Sequence, residues 1–542
     1  MDWDFIIVGS GFGGSVSALR LAQKRYRVLV LEKGPRLGDR DFPETNWNLK
    51  RGLWMPRLGF RGPFKMTFLR HVTAFSGVGV GGGSLVYACT LPEPPADFFD
   101  APTWRDLGDW RRELAPHYET ARRMLGVARN PYVTYADEVI REVARDLGRE
   151  EAFRLTNVGV WFGEPGVTVP DPYFGGAGPD RTGCIQCGGC MLGCRHGAKN
   201  TLDRNYLWLA ERAGVEVRAD SEVVWLRPVS GGYELDVRAG RSVLGRRRRT
   251  YRAARVILAG GVLGTVPLLL KVKGRTGGLP RLSPRVGQGV RTNSEVLMGV
   301  ISQRRDRVMS EGVAITSIVQ TDDRSHLEPV RYSDGSGFFR LLMTPHAPGA
   351  TFLARAWGAA RMVVRHPLRT LRAVLVPDLS RHMMILLYMR TVDSQLSLRL
   401  GRSPWSLFRR TLKSRVETGT APSSAIPEAT DLARRVADKV DGYPVSLATE
   451  TALAIPTTAH MLGGCVMGDG PERGVIDARH EVWGYPGLYV IDGSAVSANP
   501  GVNPSLTICA LAERAMTFIP SRDATIPGGL VSGRVDTELG RR

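Results

Sequence analysis

The chain has 542 residues and carries 73 Lys and Arg against 53 Asp and Glu, a formal net charge of +20. Its 43% hydrophobic and 23% charged residues exclude a disordered or fibrous chain, and 63 Gly with 34 Pro, lacking any short period, exclude collagen-like and low-complexity readings. The length suggests two to four structural units, while the charge speaks to association and not to fold.

Met1-Asp2-Trp3-Asp4 is acidic and passes at once into the strand pattern Phe5-Ile6-Ile7-Val8. No basic stretch or small-residue cleavage site precedes it, so a cytoplasmic protein without a secretory signal is expected. A strand over 4–8, the turn Gly9-Ser10-Gly11-Phe12-Gly13-Gly14, a helix over 15–24 and a strand over 27–31 ending at Glu32 read as one dinucleotide-binding βαβ unit. Gly9 permits the tight turn, Gly11 lets backbone N–H groups approach a pyrophosphate, and Gly14 lets helix pack on strand. Phe12 and Gly13 complete a loop whose helix N-terminus favours an anion, and Glu32 is spaced to bind a ribose hydroxyl pair.

A second glycine string follows at Gly77-Val78-Gly79-Val80-Gly81-Gly82-Gly83-Ser84-Leu85-Val86. The cysteines are seven, an odd number, and four of them fall within eleven residues: Cys184, Cys187, Cys190 and Cys194, spaced C-x2-C-x2-C-x3-C. That spacing suits a metal or cluster better than a disulfide framework. Three readings stay open: an iron–sulfur cluster, a four-thiolate zinc site, and a loop of free thiols.

Residues 202–270 form a further α/β block. A helix over 205–213 precedes strands over 215–217, 222–226, 233–238 and 250–258, with Arg246 to Arg249 as a solvated hairpin tip. Ala259-Gly260-Gly261 then opens an apolar helix. The apolar run 256–270 is broken by glycines and Pro267 and stops at Lys271, short of the ~20 residues that a membrane span needs.

Residues 335–377 hold six arginines and no acidic residue, and Leu353, Trp357, Val364, Leu368, Leu371 and Leu375 recur there at helical spacing. Two readings compete. One is an element lying on an anionic surface at the inner face of the cell membrane; the other is a pair of core-facing helices with a basic rim. Nucleic acid is not an expected partner, because no RNP, zinc-finger or helix-turn-helix signature accompanies the charge.

Three blocks close the chain: His460-Met461-Leu462-Gly463-Gly464-Cys465, then Leu488-Tyr489-Val490-Ile491-Asp492-Gly493-Ser494, then Pro500-Gly501-Val502-Asn503-Pro504-Ser505-Leu506-Thr507 leading into a helix over 508–515. Residues 521–542 read as a frayed polar tail. In order and separation, these blocks and the two glycine strings resemble the glucose-methanol-choline (GMC) flavoprotein oxidoreductases, and among them the cholesterol oxidase group. Only about 335–442 matches weakly.

The resemblance implies an α/β fold with a Rossmann-like FAD-binding domain of discontinuous segments, 1–40, 200–300 and 445–520. An α+β substrate domain, 41–199 and 301–444, is interleaved with it. FAD would be held by the first glycine loop, by Gly79, Gly82, Gly83 and Ser84 at the flavin edge, by Asp492 and Gly493 at a second turn, and by Val223 at the adenine. His460 matches the family's catalytic histidine, which takes the hydroxyl proton while hydride passes to flavin N5, and Asn503 matches the residue that holds the hydroxyl. The implied reaction converts a secondary hydroxyl of a hydrophobic, sterol-like alcohol to a ketone.

Glu328 and Glu417 are candidates for a substrate-side glutamate, and Tyr87 stands where sterol-oxidising members have asparagine. The electron acceptor is O₂, or a quinone or carrier if the cysteine run holds a cluster. The second case would make the chain a dehydrogenase of long-chain or other alcohols. A basic lipid-surface protein without catalysis is the non-enzyme alternative.

Overall fold

The computed structural model describes residues 1–241, 245–349, 351–402 and 409–525. Two seven-stranded sheets carry the architecture. The first is built on Trp3–Val8 and Val28–Leu31, whose side chains are apolar on both faces, as a strand covered by helices requires. Its order is Glu216–Arg218, Val28–Leu31, Trp3–Val8, Arg247–Leu258, Gly232–Ala239, Ser221–Val229, with Leu488–Val490 also pairing with Arg247–Leu258. The central pairs are parallel, in the registers Ile7↔Val30, Ile7↔Ile257 and Ile257↔Tyr489. The sheet thus draws its strands from three separated stretches of chain.

Helix Phe12–Gln23 follows the first strand and packs against Ser505–Thr517, where Arg20 pairs with the buried Glu513 and Tyr206 Oη donates to the same carboxylate.

The second sheet is antiparallel throughout, in the order Met343–Pro345, Gly442–Leu447, Val296–Ser302, Met383–Arg390, Ser325–Val330, Ser317–Asp322, Phe153–Leu155. Strand alternation gives it two apolar faces. Val296, Met298, Leu327, Leu386 and Tyr388 lie under helices Tyr135–Asp146 and Pro427–Lys439. The pairs Leu297↔Leu387, Glu328↔Leu387 and Val330↔Ile385 turn to the other side, toward the first sheet. Because Val296–Ser302 belongs here, the chain leaves the first layer just after Glu295, inside the stretch 200–300.

One expectation changes at this level, and one of two alternatives is decided. Arg247, Arg248 and Arg249 are not a hairpin tip: they lie within the strand, opposite Ala239, Arg238 and Val237, and Arg246 pairs with Glu222. The stripe Leu353 to Leu375 does form helices, Phe352–Arg365 and Pro367–Val374, but it faces solvent and not the core. Of the tail, 526–542 lie outside the described residues, while Arg522–Thr525 makes a 3-10 turn. Among the described residues no helix is long and apolar enough to cross a membrane.

Candidate active site

A cavity of about 570 Å³ lies between the two sheets, within the range of cofactor and ligand sites. Gly9, Gly11, Phe12, Gly13, Glu32, Gly82, Gly83, Val223, Asp492, Gly493, His460 and Asn503 all line it, although the chain brings them from five separate regions. Gly14, Gly79 and Ser84 do not. Gly14 is the contact of helix with strand, since a Cβ there would meet the Gly9 carbonyl and Ala259. The Gly79 carbonyl accepts from Gly82 N–H, and Ser84 Oγ donates to Gly81 O and accepts from Leu202 N–H, so both shape the second glycine loop from behind.

The residues fit a dinucleotide such as FAD. Gly11 starts helix Phe12–Gln23 with no side-chain cap, so the first-turn N–H groups are left for a ligand. A Cβ on Gly82 would stand 2.6 Å from Gly11 Cα, which is how the two glycine loops come together at one wall. Glu32 Oε2 accepts from Ser10 N–H and Oγ–H and Oε1 from Gly34 N–H, leaving acceptor capacity at the cavity edge. Val223 sits at the same end with Lys33, Lys65 and Lys271, none of which had a sequence signal. Burial, helped by Lys33, pushes the Lys65 ammonium down to about 8.

Asp492 is saturated by the protein: Oδ2 accepts from Gly261 N–H and Thr265 Oγ–H, and Oδ1 from Ser494 N–H. Burial raises its pKa despite these bonds, and its part in the cavity is to hold the turn that presents backbone.

At the opposite end the walls are apolar, with Leu297, Val330, Ile385 and Leu387 from the second sheet and Ile315 bridged to Val330. There His460 Nδ1 lies 2.5 Å from Glu295 Oε2, while Glu295 Oε1 accepts from Ala459 N–H at 2.9 Å. Only 1% of the Glu295 side chain is exposed, against 12% of His460, so the carboxylate is buried behind a ring that reaches the cavity. Since a carboxylate can only accept, the ring proton belongs on Nδ1, leaving Nε2 as the basic nitrogen. Burial pulls the imidazole's pKa down, but the charge and hydrogen bond of Glu295, with the more distant Glu328, outweigh it and raise the pKa above its ordinary value.

Asn503 Nδ2 reaches Glu328 Oε2 at 3.5 Å, His326 Nε2 lies 3.5 Å from Glu328 Oε1, and Asn503 Oδ1 is buried with no hydrogen-bond partner among the described residues. Orphaned polar atoms in an otherwise apolar wall mark where a polar group of a ligand belongs.

Glu295 was missed. It precedes an apolar strand without any motif, and its partner is 165 residues away. Glu417 is corrected: it lies in the strand Thr411–Thr418, which pairs with Gln395–Gly401, its carboxylate accepts from Gly289 N–H, and it does not line the cavity. Tyr87 lines the cavity and is fixed there, its hydroxyl donating to Asn200 O and its ring lying 4.7 Å from Lys199 Nζ.

Among the described residues no three Cys, His, Asp or Glu side chains gather as an ion would need, so Cys184, Cys187, Cys190 and Cys194 are not arranged here as the ligands of an iron–sulfur cluster or of zinc. Cys187 points to solvent, whereas Cys190 turns inward to the buried Cys89. That hydrogen bond outweighs burial and, with the charge of Lys199, lowers the Cys190 pKa. What the loop gives the site is Met191, a wall residue.

Comparison with known proteins follows the same lines. A GMC oxidoreductase family model matches residues 382–512, and an NAD(P)-binding Rossmann-like domain model matches 7–52. A cholesterol oxidase of Mycobacterium tuberculosis is 47% identical over 537 residues, covering 97% of this chain and 92% of that one. A cholesterol oxidase of Acinetobacter baumannii is 42% identical over 531 residues, covering 96% and 95%. Among solved structures, pyridoxine 4-oxidase from Mesorbium loti superposes with a TM-score of 0.60 at 16% identity, over 95% of this chain and 99% of that one, a likeness of fold.

Proposed function

This chain belongs to the GMC oxidoreductase family, FAD-dependent oxidoreductases that act on CH–OH groups, and from that premise we propose that it oxidises the secondary hydroxyl of a sterol to a ketone with O₂ as acceptor. One observation carries the reading: the hydrogen-bonded Glu295–His460 pair stands with Asn503 at the apolar end of the cavity, opposite the glycine loops. When bound, FAD supplies the hydride acceptor and the group that O₂ reoxidises.

The protein's own part is positional and electrostatic. Glu295 holds His460 with Nε2 free, and that nitrogen takes the hydroxyl proton as the carbonyl forms. The Asn503 amide orients the hydroxyl oxygen, with Glu328 behind it fixing the amide. Leu297, Val330, Ile385 and Leu387 exclude water and accept a rigid hydrocarbon skeleton. Alcohols oxidised by the relatives at 42% and 47% identity bear on this chain through that lining.

The test is anaerobic mixing of the purified protein with cholesterol in detergent. Bleaching of the flavin absorption, with peroxide formed on admitting O₂, is expected; a flavin that stays oxidised overturns the substrate reading. His460→Ala should keep FAD bound and lose about 10²–10⁴-fold in kcat, and undiminished turnover would remove His460 as the base.

A further inference from the structure

The helices Phe352–Arg365 and Pro367–Val374 present the wrong face to water. Leu353, Trp357, Val364, Leu368, Leu371 and Leu375 are 75%, 72%, 77%, 69%, 53% and 64% exposed. A surface helix of a water-soluble protein turns such a stripe to its core. Here the body is gripped by polar contacts instead: buried Arg355 donates to the carbonyls of Gly349, Thr451 and Ala452, Arg369 pairs with Asp441, and Thr370 bonds Tyr443. With Ala373 and Val376 buried as well, the pair is held in one orientation, apolar side outward.

The charge on this face is left over too. Arg361, Arg365 and Arg372 are exposed and have no ion-pair partner among the described residues, and 335–377 contains no acidic residue to supply one.

The same face adjoins a pocket that borders the active-site cavity. An apolar pocket of about 40 Å³ lies between Leu49 and Leu53 on one side and Phe338 and Phe339 on the other. It shares Phe64, Val86, Met191 and Tyr332 with the main cavity. Its lip exposes Trp47, Leu341 and Leu342, and Arg340 ties that lip to the end of the helix pair by donating to Val376 O.

We propose that this helix pair seats the protein on an anionic lipid bilayer, so that the pocket at Phe338 and Phe339 opens into the membrane and admits the alcohol from it. An amphipathic surface with Trp, Leu and unpaired Arg is what an interfacial element presents to lipid. Each arginine near an anionic headgroup layer adds attraction. A second copy of the chain packed symmetrically on this face would instead bring its arginines together without an acid between them. The portal half of the proposal rests on the sterol reading; the seating half does not.

Sedimentation of the full chain with phosphatidylcholine vesicles, with and without phosphatidylglycerol, tests it. Binding is expected with phosphatidylglycerol and should weaken as salt rises. Val364→Glu with Leu368→Glu, and separately Arg361→Gln with Arg365→Gln and Arg372→Gln, should each lose at least about tenfold in vesicle partitioning. Neither should change turnover of detergent-dispersed sterol, and turnover of vesicle-borne sterol should fall with binding. Failure of the parent protein to bind any vesicle overturns the proposal, as does a dimer in sedimentation velocity that the glutamate pair dissociates. Binding that persists while sterol is not oxidised even in detergent leaves the seat standing and overturns the sterol reading alone.

Discussion

At the scale of single residues, the site turns on two carboxylates that the catalytic motifs do not contain. Glu295 raises the proton affinity of His460, so the acidic limb of kcat/KM against pH should lie above the ordinary imidazole value of ~6.5. Glu295→Gln removes the charge while keeping an acceptor for Nδ1, and should move that limb to lower pH with a modest loss of kcat. A limb that does not move would assign the raised value to another cause. Asn503→Ala should lower kcat more than it raises KM, since the amide orients a group without providing the hydrophobic contact. His460 and Asn503 were legible because local sequence surrounds each with a recognisable block. Glu295 was not, because its partner is 165 residues distant, and Glu328 stood only as one of two candidates because the residue that gives it meaning is 175 residues away.

Among the elements, the glycine-loop helix shows how closely function and packing are tied. A Cβ on Gly13 would run into the Ile491 carbonyl beside Asp492, so the helix N-terminus and the second turn are set against each other with no slack. Gly13→Ala should destabilise the protein by about 1–3 kcal/mol and release FAD on dilution, measured by flavin fluorescence and thermal melts.

Helix Ala448–Leu453 carries a different liability. Burial, only partly offset by hydrogen bonds from Thr457, pushes the Glu450 carboxyl up to about 8. Unfolded, it would titrate near ~4.3, so the folded state holds the proton more tightly. Its contribution is full below about pH 4.3 and is lost as pH climbs through about 8, a fall of roughly 2–5 kcal/mol. Glu450→Gln should therefore flatten the decline of Tm across that window. An unchanged slope would mean that the carboxyl titrates normally.

For the whole molecule, the surplus of positive charge has acquired a location: part of it stands unpaired beside an exposed apolar face, and part lies along the exposed strand residues Arg247 to Arg249. Of the three readings of the cysteine run, the arrangement among the described residues supports free thiols. The purified protein should carry FAD without stoichiometric iron or zinc, and Cys187→Ser should leave flavin content and turnover unchanged.

Local pattern by itself determined the βαβ unit and marked the two glycine strings, and the resemblance of short contiguous blocks pointed to the family and to His460 and Asn503. Each of these depends on contiguous residues whose backbone needs are written in their neighbours: positive φ, close approach, period-two or helical spacing. Tertiary structure alone decided the rest. The C-x2-C-x2-C-x3-C spacing is compatible with a cluster, but only the fold could show one thiol facing water and another facing Cys89. The stripe from Leu353 to Leu375 had the period of a helix, and period cannot say which side of a helix the body occupies. That was settled by Arg355, Thr370 and Ala373 anchoring the opposite side, because burial is a property of what else arrives at a surface and not of the segment that forms it.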